Sequence, residues 1–262
     1  MAATVLITGA GGLIGSHVLA AWDIEELSLM PAPTRSESSD LLVPGTACRL
    51  VSVLRPAIVI HLAWVASGTP GYRTSPDNER WVAATLELAN ASQATGARFL
   101  GTGTSLEGDE ACAGDAYTAA KAKVRLLLGE PIARGEIGWL QPFYVFDPDR
   151  GRPALVADAL RARASGTEVV LRSPHQVHDF VHAADVGRAI VACVRAGLTG
   201  QVPIGSGTTR QVCDLVSGLG ISWVAGRDAV HVESHAARPA DTGRLRSTGW
   251  FPTSTEEFFK HV

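Results

Sequence analysis

The chain has 262 residues, of which 46% are apolar and 19% are charged, and its formal net charge is −3. A disordered chain would hold fewer apolar residues, and a nucleic-acid-binding protein would show a basic face, so both classes are excluded. The length suits one large α/β domain, or a nucleotide-binding domain with a small second lobe.

The four cysteines lie far apart in the sequence, and none belongs to a Cys-x-x-Cys pair. This spacing is typical of small buried side chains in a reducing compartment and predicts no metal site. No charged leader precedes the first strand, and no uninterrupted apolar run of about 18 residues is present. We therefore expect a cytoplasmic protein that does not enter a membrane.

Apolar runs and helical patterns alternate through the first half of the chain, and a more mixed pattern follows. Strands are predicted at 4–8, 27–30, 57–63, 98–102 and 138–146, with helices at 13–22, 78–94 and 117–128. Later in the chain we expect helices at 155–164, 185–196 and 211–219 and a short strand at 169–171. This alternation predicts a parallel sheet with helices on both faces.

The predicted fold class is therefore an α/β protein with a Rossmann-type, doubly wound parallel sheet and a small C-terminal substrate-binding lobe. We expect the dinucleotide-binding domain to span 1–146 and the lobe to span 147–262. Part of the second segment, about 178–205, is expected to return to the sheet.

A glycine-rich turn at 9–15 joins the first predicted strand to the first predicted helix. Glycine lets the backbone turn tightly and lets a pyrophosphate come close, because no Cβ stands in the way. The free N–H groups at the start of the helix then face the anion. A tight turn without a ligand is the alternative, but the position between strand and helix favours a dinucleotide site.

The choice between NAD and NADP depends on the end of the second strand, where NAD enzymes place an acidic residue for the ribose 2′-hydroxyl. Arg35 stands in that region. A guanidinium suits the 2′-phosphate of NADP, so NADP (as NADPH) is favoured over NAD. A solvated loop arginine is the alternative interpretation.

Tyr117 and Lys121 lie four residues apart, on one face of a predicted helix. A phenol is a poor acid or base at neutral pH, but a nearby ammonium favours the phenolate and lowers the pKa by about one to three units. Hydroxyl side chains at the end of the preceding strand, Thr102, Thr104 and Ser105, are suited to hydrogen-bond a substrate oxygen. Together these residues predict general acid–base catalysis.

Several motifs, taken in order, resemble the extended short-chain dehydrogenase/reductase family, the NAD-dependent epimerase/dehydratase group that acts on nucleotide sugars. The turn at 8–15 resembles its TGxxGxxG signature, and Tyr117 with Lys121 resembles its YxxxK pair. The resemblance covers nearly the whole chain. Further segments that resemble the family are Asp40-Leu41, the strand to Ala63, Asn78, 142–148, 178–186, 204–207 and 249–252.

The resemblance implies catalytic residues and two sets of binding residues. Thr104, Tyr117 and Lys121 are the implied catalytic residues. The expected dinucleotide contacts, besides Tyr117 and Lys121, are Gly9, Gly11, Gly12, Leu13, Ile14, Gly15, Arg35, Asp40, Leu41, Leu62, Ala63, Thr102 and Pro142. Substrate contacts are expected at Ser105, Tyr144, His178 and Arg238, and no metal is implied.

The chain also departs from the family pattern. His178 stands where the family usually carries an arginine for the substrate diphosphate. Arg238 or Arg210 is an alternative source of that charge, and either is equally well interpreted as a solvated surface arginine. Gln141, Asp147 and Pro203 replace an arginine, a glycine and an asparagine of the pattern.

Three functions stay open on the sequence. The first is an NADPH-dependent ketoreductase that reduces a keto group on a nucleotide-activated deoxysugar, with Tyr117 as general acid. The second is an epimerase that uses tightly held NAD at C4 of a sugar. The third is a non-catalytic dinucleotide sensor, although such proteins commonly lose the tyrosine or lysine. A 4,6-dehydratase is disfavoured, because Ser105 and Leu106 follow Thr104 where that subgroup has Asp-Glu.

The implied partner is a small molecule, a nucleotide sugar. The resemblance further implies a homodimer that packs through the helices at 78–94 and 117–128.

Overall fold

The computed structural model describes residues 3–33, 39–65, 69, 71–107, 115–149, 154–226 and 238–260. Its strands are β1 (Ala3–Thr8), β2 (Leu27–Pro31), β3 (Ile58–His61), β4 (Arg98–Thr102), β5 (Ile137–Pro142), β6 (Tyr144–Phe146), β7 (Val169–Leu171), β8 (Val177–His178), β9 (Phe180–His182), β10 (Gly200–Ile204), β11 (Arg210–Gln211) and β12 (Trp223–Ala225). Its helices are α1 (Leu13–Ala21), α2 (Thr46–Leu54), α3 (Asp77–Thr95), α4 (Ala116–Leu127), α5 (Gly129–Ala133), α6 (Ala154–Ser165), α7 (Ala183–Ala196), α8 (Val212–Gly218), α9 (Gly243–Arg246) and α10 (Thr253–Lys260).

A six-stranded sheet forms the centre, with strand order β10-β5-β4-β3-β1-β2. Every neighbouring pair in this sheet is parallel. The strand order reverses beside β1, so the carboxyl ends of β1, β3 and β4 line one edge above a topological switch point. The predicted α/β fold with a Rossmann-type parallel sheet is confirmed.

Alternate residues of β1 enter two different cores, one on each face of the sheet, as the two-residue period of a strand requires. Val5 and Ile7 belong to the core that includes Val18 of α1 and Ile190 of α7. The side chain of Leu6 belongs to the opposite core with residues of α2, α3 and α4. Because both faces are covered, the central strands carry nearly continuous apolar runs.

The structure corrects one predicted strand and adds elements that were not predicted. The strand expected at 138–146 is divided into β5, which lies in the central sheet, and β6, which pairs with β9 in the small lobe. Phe143 separates the two strands, and its N–H donates to the carbonyl of Ile204 at 2.9 Å. The helix α2 was not predicted at all.

The small lobe is built from short strand pairs around a separate core. Three two-stranded sheets, β6-β9, β8-β11 and β7-β12, accompany this core. Phe146 and Phe180 pack in it with residues of α6 and α8. The strand β10 lies in sequence between β9 and β11 of this lobe but pairs with β5, so the C-terminal half of the chain supplies one edge of the central sheet.

Three features bear on the remaining expectations. No helix among the described residues is long and apolar enough to cross a membrane. In the same residues no group of three or more His, Cys, Asp or Glu side chains is arranged to hold a metal ion. Cys48, Cys193 and Cys213 are free thiols, and Cys112 lies outside the described residues.

Candidate active site

The turn between β1 and α1 closes so tightly that glycine is required at its two ends. Gly9 has a φ of +73°, and a Cβ on it would lie 2.7 Å from the backbone nitrogen of Ala63. A Cβ on Gly15 would lie 2.2 Å from the carbonyl oxygen of Gly9. Gly12 is the N-cap of α1, and no described side chain caps this helix. Its first N–H groups are therefore directed at the space above the turn, where an anion would satisfy them.

The other expected dinucleotide residues of the central sheet lie around the same edge. Thr102 ends β4 and Pro142 ends β5, whereas Leu62 and Ala63 follow β3. The N–H of Ala63 donates to the hydroxyl of Thr8 at 3.3 Å. The Thr102 hydroxyl oxygen is buried and has no hydrogen-bond partner among the described residues.

Asp40 and Leu41 lie between β2 and α2. The Asp40 carboxylate accepts the N–H of Leu42 at 2.9 Å, and Leu41 is buried in the core on that face of the sheet. Arg35, on which the preference for NADP was based, lies outside the described residues.

The three expected catalytic residues lie close together at the carboxyl edge of the sheet. Thr104 follows β4, and Tyr117 is the second residue of α4. The Tyr117 phenol and the Thr104 hydroxyl are hydrogen-bonded. One helical turn further on, the buried Lys121 donates from Nζ to the carbonyl of Thr102 at 2.6 Å. The hydroxyl, the phenol and the ammonium thus converge beside the strand end.

The start of α4 is fixed by contacts that were not predicted from the sequence. Asp115 is the N-cap and accepts the N–H of Thr118 at 2.7 Å. Its other carboxylate oxygen pairs with the guanidinium of Arg73 at 2.5 Å. The carbonyl of Arg73 accepts the N–H of Tyr117 at 3.2 Å, and the Tyr72 ring packs edge-on against Tyr117 with centroids 5.3 Å apart. The segment before α3 therefore holds the residue that carries the phenol.

The environment of Tyr117 favours the protonated phenol. Burial raises the pKa of Tyr117, and the neighbouring Tyr72 and Glu107 act in the same direction. The hydrogen bond with Thr104 and the guanidinium of Arg73 oppose this rise. Without a bound dinucleotide the pKa of Tyr117 therefore lies above its ordinary value, and not below it as the sequence analysis expects.

Lys121 is a buried amine whose pKa is lowered to about 7. Burial lowers its pKa, and the carboxylate of Glu107 opposes that effect. The Nζ atom also lies 3.7 Å from the centre of the Trp64 ring. The indole N–H of Trp64 in turn donates to the side-chain oxygen of Asn78 at 2.9 Å, so Asn78 fixes the ring.

Glu107 is the acidic residue that sequence reasoning missed. It follows Thr104 by three positions, close to where a dehydratase would carry its acid, but its side chain is fully buried. The carboxylate accepts N–H groups from Thr104, Trp139 and Gln141 at 2.7, 2.9 and 3.1 Å. No local pattern identifies such a site, because the donors come from separate segments.

The four expected substrate residues do not form one cluster of contacts. Tyr144 and His178 are stacked, with ring centroids 3.4 Å apart, and His178 is buried. The N–H of Ser105 donates to the carbonyl of Pro142 at 3.1 Å. Arg238 is exposed. Tyr144 and His178 are in direct contact with each other.

Arg210, the alternative source of positive charge for the substrate diphosphate, contacts an aromatic ring. Its guanidinium lies 4.3 Å from the centre of the Phe259 ring.

Two aspartates of the family-like segment 178–186 accept hydrogen bonds from backbone N–H groups of other segments. Asp179 accepts N–H groups of Ser206, Gly207 and Ala240 at 2.6, 2.9 and 2.9 Å. The buried Asp185 accepts the N–H of Thr255 at the start of α10 at 2.7 Å. These carboxylates join loops that are distant in sequence.

Asp147, one of the departures from the family pattern, has a partner on the first helix. Its carboxylate lies 2.8 Å from Nε2 of His17. This contact ties α1 to the beginning of the small lobe.

The parallel sheet, the glycine turn and the Thr–Tyr–Lys cluster define a dinucleotide-binding enzyme of the short-chain dehydrogenase type. The model of the NAD dependent epimerase/dehydratase family matches residues 5–205, and the chain belongs to that family. It is an NAD(P)-dependent enzyme of the oxidoreductase type, as the sequence predicts.

Individual relatives are similar over nearly the full length of the chain. A putative GDP-L-fucose synthase 2 from Oryza sativa subsp. japonica is 28% identical, over 95% of this chain and 82% of the relative. The structure of RMD from Pseudomonas aeruginosa complexed with NADPH is 24% identical, with a TM-score of 0.74 over 95% of this chain and 93% of that one. A Thermus thermophilus UDP-glucose 4-epimerase complex with NAD is 21% identical, with a TM-score of 0.68 over 95% and 94%.

One further solved structure matches the chain from end to end. It is a dTDP-4-dehydrorhamnose reductase from Bacillus anthracis in complex with NADP, 18% identical, with a TM-score of 0.74 over 100% of this chain and 99% of that one. At these identities the solved structures share the fold with this chain.

Proposed function

We propose that the protein is an NADPH-dependent ketoreductase that reduces a keto group on a nucleotide-activated deoxysugar. The observation that carries this proposal is the convergence of the Tyr117 phenol, the Thr104 hydroxyl and the Lys121 amine at the end of β4. Reduction of a ketone needs a proton donor next to the developing alkoxide, and this arrangement supplies one.

The residues present fit a nicotinamide dinucleotide. The glycine turn has uncapped N–H groups for the pyrophosphate, and the unpartnered Thr102 hydroxyl is available to a ribose or nicotinamide group. The nicotinamide, when bound, supplies or accepts a hydride. We favour NADP over NAD because Arg35 follows the second strand, and the similar structures of RMD and of the dTDP-4-dehydrorhamnose reductase carry NADPH and NADP.

Each member of the cluster has a separate task in the proposed reaction. Tyr117 gives its proton to the substrate oxygen, and Thr104 orients that oxygen through its hydroxyl. The ammonium of Lys121 stabilises the tyrosinate left after the transfer and is the expected contact of the nicotinamide ribose. A positioned acid of this kind contributes about 10²–10⁴-fold to the rate.

The substrate class is proposed from the relatives and from the small lobe. Several similar proteins carry nucleotide sugars in their names, among them GDP, dTDP and UDP sugars. Tyr144 and His178 offer a stacked aromatic surface, and Arg238 offers an exposed guanidinium. We propose Ser105, Tyr144, His178 and Arg238 as the substrate contacts.

The second candidate is a nucleotide-sugar 4-epimerase with tightly held NAD. It is favoured by the similarity to UDP-glucose 4-epimerases, one of them in complex with NAD. An epimerase must first remove a proton from the sugar hydroxyl, which requires a tyrosinate. Tyr117 would serve either reaction, so the two are separated by whether NADPH is consumed.

The test is to incubate the purified protein with NADPH and a panel of nucleotide 4-keto-6-deoxysugars and to follow oxidation of NADPH. We expect turnover that falls by about 10²–10⁴-fold in Tyr117→Phe while NADPH binding is retained. Interconversion of two nucleotide sugars without net NADPH consumption would favour the epimerase. NADPH binding without any turnover, and without an effect of Tyr117→Phe, would favour the sensor.

We further propose that two copies of the chain associate through α3 and α4. Leu126 and Leu127 on α4 are 80% and 54% exposed, and apolar side chains of this size are suited to an interface. Light scattering during size-exclusion chromatography should give the mass of a dimer, and Leu126→Glu with Leu127→Glu should give the mass of a monomer.

A further inference from the structure

We propose that Glu107 is a positioning residue whose buried carboxylate fixes the backbone of Thr104 and serves as the counter-ion that keeps the Tyr117–Lys121 pair in its proton-donating form. Only the kinetic consequence of this inference depends on the proposed reduction. Its structural part depends on this chain's own residues.

The carboxylate lies where only an acceptor fits. Three N–H donors converge on it, from the Thr104 backbone, the Trp139 indole and the Gln141 amide. A carboxylate has acceptor sites for all three, whereas a neutral glutamine in the same place would turn its NH₂ group toward at least one donor. Hydrogen bonds of this kind stabilise the ionised carboxylate and shorten the contacts.

A glycine after the end of β4 leaves space for the carboxylate of Glu107. A Cβ on Gly103 would lie 2.2 Å from Oε1 of Glu107 and 2.5 Å from the indole nitrogen of Trp139. Gly103 therefore allows the side chain to fold back onto the strand from which it departs. The residue directly after this glycine is Thr104, so the position of the catalytic hydroxyl depends on this contact.

The charged groups around the carboxylate come from several elements. On α4, Lys121 lowers the pKa of Glu107, and the Nε atom of Arg125 lies 3.9 Å from its Oε2. Burial is the larger effect, and it raises the pKa of Glu107 above its ordinary value. Glu107 in turn raises the pKa of both Lys121 and Tyr117.

Other groups also surround Lys121 and Tyr117. Lys121 also faces the Thr102 carbonyl, the Trp64 ring and the buried His61, and Tyr117 also faces Tyr72 and Arg73. Among these groups Glu107 is the carboxylate that acts on both. Removal of its charge should therefore lower the pH at which the coupled pair loses its proton.

The experiment reads the charge of Lys121 without any substrate. The chain has three lysines, Lys121, Lys123 and Lys260, so carbon-13 label at lysine Cε gives three resonances that Lys123→Arg and Lys260→Arg assign. We expect Lys121 in Glu107→Gln to titrate about one pH unit or more below its wild-type value. Glu107→Asp keeps the charge and should stay closer to the wild type.

The matched control is Glu87→Gln. Glu87 also accepts two backbone N–H groups, those of Gly45 and Cys48, but it lies on α3 and contacts the start of α2. The Lys121 titration should be unchanged in this variant. Thermal unfolding and NADPH binding establish that each variant is folded.

Equal titration of Lys121 in the wild type and in Glu107→Gln would overturn the proposal, as would equal shifts in the Gln and Asp variants. In the wild-type protein the Lys121 resonance should also show a second, smaller inflection at acid pH, where Glu107 takes up a proton. Absence of that inflection would overturn the proposal even if no Glu107 variant folded.

Measurement of kcat/KM against pH tests the kinetic consequence separately from the Lys121 titration. If the protein reduces a nucleotide keto-sugar, the fall of kcat/KM at alkaline pH should move to lower pH by a similar amount in Glu107→Gln. A uniform loss of activity at every pH would reduce Glu107 to a structural role. If the wild type reduces none of these substrates, the proposed function fails while the Lys121 titration still decides the role of Glu107.

Discussion

The Nζ atom of Lys121 lies 3.7 Å from the centre of the Trp64 ring. An ammonium over an indole face is attracted by the negative charge density of the ring, and the attraction is strongest where water is excluded. Lys121 is buried, so the ring replaces part of the hydration that the ammonium lost. Trp64 therefore opposes the loss of charge that burial imposes on Lys121.

The first prediction concerns this ring. Trp64→Leu should lower the pKa of Lys121 further, by up to about one unit, because a buried cation–π contact is worth about 2 kcal/mol or less. Trp64→Phe keeps an aromatic face and should cause a smaller shift. Titration of the Lys121 Cε resonance compares the two variants, and identical shifts would contradict a role for the ring.

The second prediction concerns the hydroxyl of Thr104. Thr104→Val keeps the shape of the side chain but removes the hydrogen bond with Tyr117, and kcat/KM for reduction should fall by about 10–100-fold, the equivalent of about 1–3 kcal/mol. Thr104→Ser restores the hydroxyl and should remain near the wild type. Steady-state kinetics with saturating NADPH measures both, and equal losses in the two variants would point to packing instead.

The third prediction separates the two ends of the glycine turn from its middle. Gly15→Ala should destabilise the free protein and abolish dinucleotide binding, because its Cβ would lie 2.2 Å from the Gly9 carbonyl. Gly11→Ala is the control for the stability of the free protein alone, since no atom of the chain lies within 4 Å of its added Cβ. Thermal unfolding should give a lower Tm for Gly15→Ala than for Gly11→Ala, and Gly15→Ala should show no shift on addition of NADPH. A Gly15→Ala protein that is stabilised by NADPH as well as the wild type would contradict the assignment of the turn.

The fourth prediction concerns stability at acid pH. Burial is the main cause that lowers the pKa of His61 from its ordinary value of 6.5 to about 3, with a smaller contribution from Lys121. The unfolded chain therefore takes up a proton, as the pH falls below 6.5, that the folded chain does not. The stability linked to neutral His61 is complete above that pH and is lost progressively toward pH 3, by up to about 1.4 kcal/mol per pH unit.

Urea unfolding at about pH 7 and about pH 5 measures this loss, for which we expect about 2 kcal/mol from His61. His61→Gln should lose less stability over the same interval. His175→Gln is the control, because His175 is exposed. Equal pH dependence in the wild type and His61→Gln would show that His61 is not the group that titrates.

The sequence predicted the elements that carry their own local signals. The glycine turn, the buried strands and the spacing of Tyr117 and Lys121 are all contained in short segments, and short segments can be interpreted without a structure. The helix α2 lacks such a signal, because its N-cap is Gly45 with a φ of +84°. Its first N–H groups are instead satisfied by Glu87, which lies on α3 and is about 40 residues away in the sequence.

The same reason explains why part of the site was missed. Glu107 and Arg73 acquire their roles from partners in other elements, namely Trp139 and Gln141 for the first and Asp115 for the second. The sequence neighbours of Glu107 include neither of the side chains that donate hydrogen bonds to its carboxylate. Tertiary contacts of this kind can be found only when the strands have been placed side by side.

The pairing of β10 with β5 constrains how the protein can be made and divided. A fragment that stops after Phe146 would leave the backbone of Ile137–Pro142 without its neighbour and would offer an open apolar edge to other chains. During synthesis that edge stays open until β10, which ends at Ile204, has left the ribosome. The half of the molecule that holds the glycine turn therefore cannot be expected to work as an independent module.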